Sequence, residues 1–332
     1  MAAPDVLIVG LGSTHGLRVA EDELAGALKR AGASVRLVRP EPPRPVRTLM
    51  LTDLTWARAA RRAAEATLAE QEPDAVIYYT TTAALLWPRP GAIRFDAPAA
   101  ANRPGRHGLW QRPLERRRLR GAPLLIPQDP EALREAGDPS TPSVVVPVPV
   151  DPSGPPGADP PPREQRDIAA VTYAADPRKK GLDRILPAWA AARREGEELI
   201  VAGLEGRDEE GVRYAGRLSP EEFRALLRRA RVYVTAPRRE DYGIAQLEAL
   251  AEGCRVVTTP APGPYAALPL LRGGLGWVVE PHGLSAALRA ALDDDDPGYP
   301  ARARAAVAPF SRAAVDRLVA ERLLPALLEG PT

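Results

Sequence analysis

Cysteine is nearly absent from this chain. Of 332 residues one is cysteine, Cys254, in a predicted buried strand. A single thiol excludes an intrachain disulfide and a cysteine metal cluster, so a reducing cytoplasm is the expected compartment. Long apolar runs are absent too, and none approaches the ~20 residues that span a bilayer. The first ten residues, MAAPDVLIVG, have no basic segment ahead of the apolar ones and run straight into a strand. That is not the pattern of a signal peptide. There is no excess of charge of one sign. A net charge of +2 is too small to imply a nucleic-acid partner. Lysine is scarce beside arginine. Hydrophobic residues are 45% and charged residues 27%, an ordinary soluble composition. The length suggests two domains, each able to bury its own core.

The chain is organised around residues 231–259, RVYVTAPRREDYGIAQLEALAEGCRVVTT. The run around Val232 and Val234, bounded by Pro237, predicts a buried parallel strand. Gly243 and Ile244 open a helix with Ile244, Leu247, Leu250 and Ala251 on one face. Gly253 ends it, and Cys254–Thr259 is a second strand. Two acids bracket the helix start, Glu240 and Glu248, in the spacing E-x7-E. A helix N-terminus offers free N–H groups and the positive end of the macrodipole to a phosphate, and Gly243 lets backbone approach an anion closely. A carboxylate beside that place repels bare phosphate but accepts strongly from sugar hydroxyls. A diphosphate with a hydroxylated ring on each side satisfies both charges, which describes a nucleotide-sugar. The plain alternative is a capping acid at Glu240 and a solvated helix acid at Glu248.

The segment EDYGIAQLEALAEGCRVV, followed by Pro262-Gly263-Pro264, resembles the donor-site segment of retaining glycosyltransferases of family 4. Ala236-Pro237 stands where Pro-Ser is common in that family, and Tyr242 where Phe is common. The resemblance implies two Rossmann-like α/β domains facing each other across a cleft, the GT-B architecture. It implies donor contacts at Tyr242, Gly243, Ile244 and Gly263, with Glu248 on the nucleotide ribose and Glu240 on sugar hydroxyls.

Earlier in the chain, a βαβ opening is expected: strand Val6–Gly10, a helix from about Leu17 to Ala31, strand Val35–Val38. The loop Gly12-Ser13-Thr14-His15-Gly16 only partly matches a dinucleotide fingerprint. Position 15 is His, and the second strand ends Val38-Arg39 with no acid for a ribose. The resemblance puts Gly12 and Gly16 near the donor diphosphate. His15 is then a hydrogen-bond donor or base in the cleft, or else a plain loop histidine. Asp53 is expected to cap a helix through Glu70. Asp96 closes strand Ala92–Phe95, at the kind of strand end where open sheets bind ligands. Residues 103–120 hold seven Arg against one Glu, with Leu109, Trp110, Leu114 and Leu119 interleaved. Such a stretch suits anionic lipid headgroups, an anionic acceptor, or a solvated helix face with arginine stems over apolar surface.

Val144–Val150 is expected as the last strand of domain 1–150, and the Pro/Gly run 151–165 as the interdomain linker. Domain 166–308 follows, with 309–332 as a terminal helix crossing back to the first domain. After strand Ile168–Tyr173, Ala174-Ala175 occupies the place of the family's Gly-Arg. Lys180, directly before Gly181, matches the family's lysine on the donor diphosphate, and Arg178 or Lys179 is the candidate to replace the missing arginine. Without the resemblance, these three are a surface charge run. Arg217 and Leu218 lie where the family packs the base. Asp293–Asp296 follows a helix end and precedes Pro297-Gly298, an exposed turn rather than a metal site.

The expected function is sugar transfer from an NDP-sugar to an unidentified acceptor, lipid-linked or anionic, with retention implied by the resemblance alone. No metal or other cofactor is expected, because Lys180 and the Gly243–Ile244 amides would stabilise the leaving diphosphate. A sugar-nucleotide epimerase of the same fold and a non-catalytic nucleotide-sugar-binding protein are the alternatives.

Overall fold

The structure, a computed structural model, describes residues 5–46, 48–103, 105–154 and 158–329. It divides into two compact units, Met1–Pro149 with Arg312–Thr332, and Val150–Ser311. Each is an α/β unit on one parallel sheet.

The first unit runs β1 (Asp5–Val9), α1 (His15–Arg30), β2 (Ser34–Val38), α2 (Leu49–Glu70), β3 (Ala75–Tyr78), α3 (Thr81–Ala84), β4 (Ala92–Phe95), α4 (Ala99–Asn102), α5 (Gln111–Gly121), β5 (Leu125–Pro127) and α6 (Pro130–Glu135). The sheet order is β2-β1-β3-β4-β5. Two of its inner strands, β1 and β3, are nearly continuous apolar runs because both faces are covered. Val6, Ile8 and Ile77 pack under α1 and the last helical stretch, 312–328, through Leu28, Val319 and Leu323. Leu7, Val9, Val76 and Ile93 pack on the other side with Ala60, Ala64 and Leu119.

Two expectations for this unit are corrected. Thr48, not Asp53, caps α2: Thr48 has extended backbone and its hydroxyl accepts from the Leu51 amide at 3.3 Å. Asp53 lies inside the helix, buried, and takes Arg103 (2.8 Å) and Gln111 (2.6 Å). Val144–Val150 is not a strand. The Val144 and Val146 amides do reach Leu125 and Pro127 carbonyls, both at 2.9 Å. Pro147 and Pro149 then remove the donors a ladder needs, although the intervening valines stay buried.

The second unit runs β6 (Ile168–Tyr173), α7 (Leu182–Ala192), β7 (Leu199–Ala202), β8 (Val212–Gly216), α8 (Pro220–Arg229), β9 (Ala230–Thr235), α9 (Ile244–Ala251), β10 (Arg255–Thr258), α10 (Leu268–Leu270), β11 (Gly276–Val278), α11 (Leu284–Asp293) and α12 (Tyr299–Ala306). Residues 151–165 belong to this unit. They are held there by Arg228 on the Asp159 carbonyl (3.2 Å) and by buried Arg166, which donates to the carbonyls of Pro161, Ala230 and Glu252. The sheet order is β11-β10-β9-β6-β7-β8. The chain builds outward from β6 through β7 and β8, then restarts on the other flank with β9. That reversal makes β6 and β9 neighbours with loops leaving in different directions, the place where open α/β sheets bind ligands. In the first unit the corresponding reversal lies between β1 and β3.

Candidate functional site

Three loops meet at the C-terminal ends of β6, β9 and β10, and glycine is what lets them touch. Gly181 has φ +71°, and a Cβ there would stand 1.9 Å from the Ala236 carbonyl oxygen. Gly263 has φ +116°, and its Cβ would stand 2.1 Å from the Glu240 carbonyl oxygen. Both positions need a left-handed backbone and an absent side chain at once. Main-chain bonds complete the contact: Arg238 N to Lys179 O at 2.9 Å, and Glu240 N to Pro262 O at 3.0 Å.

Charges then pair across the first two loops. Lys180 donates to Glu240 at 2.7 Å, and both side chains are largely buried. Lys179 donates to Asp241, also at 2.7 Å, and Arg239 donates to the same carboxylate at 2.6 Å. Burial pushes the Asp241 carboxyl up, but Lys179 and Arg239 more than offset this and hold it below the usual carboxylate range. Two consecutive lysines thus meet two consecutive acids. Gln246 adds a donor to Glu240 at 3.3 Å. Arg178 is exposed and has no ion pair among the described residues.

The start of α9 is left open. α1, α2, α6 and α8 each have a Thr, Asp or Ser side chain bonded to the first turn. The N-cap of α9 is Gly243, φ +87°, with no side-chain oxygen. The amides of Ile244, Ala245 and Gln246 have no partner among the described residues, so the positive end of the helix is uncapped. Ile244 departs from the expected apolar face. Leu247, Leu250 and Ala251 are buried, whereas the Ile244 side chain is 40% exposed at the mouth of this place. Tyr242 is buried.

Glu248, one turn along, is half-buried, and its carboxyl has neither hydrogen bond nor ion pair among the described residues. Burial pushes its carboxyl up to about 7, with Arg224 opposing the rise and Glu252 adding to it. An unpartnered acid held out of water is an acceptor awaiting donors. Arg217 is exposed and Leu218 half-buried, just past β8.

In the first unit the loop of Gly12 already holds a carboxylate. The Leu11 and Gly12 amides, which a phosphate would need, donate to the Glu21 carboxylate at 2.8 and 3.1 Å. Glu21 is fully buried and also takes Arg39. An internal anion fills this loop. A Cβ on Gly16 would meet nothing within 4 Å, so no close approach requires that glycine. His15 opens α1, and its side chain lies outside the described part of the structure. Asp96 is exposed at the end of β4 and accepts from the Ala97 amide at 2.7 Å.

Asp241, Gln246 and Tyr265 were not singled out by the sequence reading. The signal for Asp241 was there: an acid next to Glu240 matches a lysine next to Lys180. Arginines take three of the four acids at 293–296: Arg194 and Arg289 on Asp293, Arg255 on Asp294, Arg302 on Asp296.

Residues 165–294 match the family described as Glycosyl transferases group 1. None of the curated proteins matches the chain. Among solved structures, sucrose-phosphate synthase from Thermosynechococcus elongatus is similar at 17% identity and TM-score 0.67, over 95% of this chain and 94% of that one. WaaG, a glycosyltransferase involved in lipopolysaccharide biosynthesis, is similar at 18% identity and TM-score 0.64, over 98% and 97%. Anabaena HepE, solved with UDP-glucose, is similar at 14% identity and TM-score 0.70, over 97% and 99%. The fold is that of the GT-B glycosyltransferases. The family match lies within the second unit.

The Glu248 carboxyl gives a pH test. Its native value near 7 lies above the ordinary 4.5, so between the two the folded state binds more protons than the unfolded one. Stability from this group therefore falls as pH rises through that window. Glu248→Gln should melt higher than wild type at pH 8 and alike below pH 4.5. Ligand hydroxyls donate to the ionised form, so nucleoside-diphosphate affinity should rise about tenfold more from pH 6 to 8 in wild type than in Glu248→Gln. Titration calorimetry at both pH values reads this, and parallel profiles would contradict it.

Proposed function

We propose that the chain transfers a glycosyl group from a nucleoside-diphosphate sugar, with retention and without a metal ion, to an acceptor hydroxyl. The observation that carries the donor assignment is the juxtaposition at the β6/β9 reversal. Lys180 is paired with Glu240 across two loops, and the uncapped start of α9 and Glu248 follow Glu240 directly in the chain. The family match covers these residues, and HepE, a structural neighbour, is solved with UDP and with UDP-glucose. Glu248 accepts from the ribose, and Glu240 from sugar hydroxyls. Lys180 and the Ile244 and Ala245 amides face the diphosphate.

The bond between the anomeric carbon and the diphosphate oxygen breaks, and its electron pair goes to the phosphate. The acceptor oxygen bonds to the same carbon, and its proton passes to the departing diphosphate. Charge on the phosphate grows along this path, so preorganised cations and amides act most strongly in the transition state. Lys180 must be shared between Glu240 and the phosphate. Lys179 is taken by Asp241, which leaves Arg178 as the mobile second cation. Retention is supported by the family resemblance alone.

A mass-spectrometric screen of nucleotide-sugars with and without candidate acceptors tests the reaction. Conversion of donor without acceptor would indicate an epimerase, and binding without turnover a binding module. Lys180→Ala should lower turnover roughly 10²-fold, as loss of one preorganised oxyanion donor does. Lys179→Ala should cost much less. Turnover should persist in EDTA; loss with rescue by Mg²⁺ or Mn²⁺ would reject the metal-free path.

One observation favours an acceptor at a lipid surface. Arg106, Arg116, Arg117 and Arg120 are exposed and have no acid partner among the described residues. Leu109 beside them is 63% exposed. The apolar side of α5 is turned inward through Leu119, so this surface offers arginines and one leucine to anionic headgroups. None of the described helices is long and apolar enough to cross a membrane. Flotation with phosphatidylglycerol vesicles should show binding at low salt that is lost at high salt. Absence of binding at low salt would remove the lipid assignment.

A further inference from the structure

Tyr265 is in an unusual state for a tyrosine. It is fully buried, yet its φ is +46°, a left-handed backbone that a bulky residue adopts only when its surroundings enforce it. Its ring lies against the Gly243 α-carbon: a Cβ on that glycine would stand 3.0 Å from the ring edge. Its hydroxyl is 2.6 Å from Thr258 Oγ1 and accepts from Gln246 Nε2 at 3.2 Å. The Thr258 hydroxyl donates to the Thr259 carbonyl at 3.2 Å.

These bonds have one consistent direction. Thr258 has a single hydroxyl proton, and the Thr259 carbonyl can only accept. The Tyr265 hydroxyl therefore donates to Thr258 and must accept from Gln246. That fixes the Gln246 amide with its nitrogen toward Tyr265 and spends its second proton on Glu240 Oε2. The cost is visible at the other end of the amide. Gln246 Oε1 is a buried acceptor with no partner among the described residues, a penalty that the opposite orientation would not relieve, because it would aim that oxygen at the Glu240 carboxylate. On Glu240, Lys180 and Gln246 both occupy Oε2. Oε1 is left without a partner among the described residues.

We infer that Tyr265 is a positioning residue for the reaction, acting through Gln246 to fix Glu240 so that Oε1 faces the sugar. The inference rests on the donor assignment above. Tyr265 touches no substrate. Its ring shapes the Gly243 turn from which the open amides start, and its hydroxyl sets the sense of the chain Gln246 to Tyr265 to Thr258. Glu240 is thereby held by two donors on one oxygen instead of rotating among donors.

The test uses Tyr265→Phe, which keeps the ring and deletes the hydroxyl, with Gln246→Leu as the second variant. In ligand-free protein, exchange of the Gln246 side-chain amide protons, followed by nuclear magnetic resonance, should quicken at least tenfold in Tyr265→Phe. With the active nucleotide-sugar, kcat should fall about tenfold in each single variant, the worth of one hydrogen bond to a charged group. Affinity for the free nucleoside diphosphate should stay within twofold. The double variant should be no slower than the slower single one, because both act on one chain. Unchanged amide exchange, unchanged kcat in either single variant, or losses that multiply in the double variant would each overturn the inference. If wild type turns over no nucleotide-sugar, the donor assignment fails, and the amide exchange alone decides whether the chain of bonds exists.

Discussion

The structure of the site depends on the ion pair between Lys180 and Glu240. Each residue sits on a loop that could adopt many conformations, and the two loops belong to strands brought together only by the reversal of the sheet between β6 and β9. A partly buried ion pair is a weak source of stability, since desolvating both charges cancels much of their attraction. Removing one partner, however, leaves the other charge buried and unpaired, which costs about 3–5 kcal/mol. The pair therefore specifies geometry more than it adds stability. It draws an ammonium and a carboxylate out of water and sets them side by side, where each can be shared with a ligand of opposite character. Gly181 and Gly263 are the conditions for this, because a methyl group at either would collide with a carbonyl of the β9–α9 loop. The neighbouring Lys179–Asp241 contact repeats the latch at the rim, with Arg239 as a second cation on the same carboxylate.

The first unit shows the opposite solution to the same topology. Its reversal lies between β1 and β3, and its Gly-containing loop presents amides in the same manner. There the chain supplies its own anion, Glu21, and locks it with Arg39. In the second unit the amides at the start of α9 meet no such side chain, and a helix that could have carried a Ser or Asp cap carries Gly243. One loop is complete in itself, and the other leaves its amides open among the described residues.

Much of this was legible in the amino-acid order. Buried parallel strands announce themselves as β-branched runs between turn residues, and β6, β9 and β10 were bounded to within a residue or two. The E-x7-E spacing pointed to the open helix start, and Lys180 stood out only through the family resemblance, as the lysine directly before a glycine. What escaped was of two kinds. Local signals misled where two candidates competed: Thr48 and Asp53 are both capping types, and only packing of Asp53 against Arg103 and Gln111 decides between them. Val144–Val150 has strand composition, but its prolines leave too few donors. The second kind is tertiary. No spacing rule brings Glu21 to Gly12, or Tyr265 to Gln246 and Gly243, because the contacts follow from how loops stack at a sheet end. Ile244 has the right period to be buried, and its exposure is visible only once the mouth of the site is built.

The central claim is that the loops of the second unit bind a nucleoside diphosphate through the phosphates and the ribose together. Calorimetric titration with a nucleoside, its monophosphate, its diphosphate and a diphosphate-sugar measures this directly. The account predicts that affinity climbs at least a hundredfold from nucleoside to diphosphate, since the phosphates meet Lys180 and the open amides. Equal affinity for nucleoside and diphosphate, or no binding by any of the four, would contradict it.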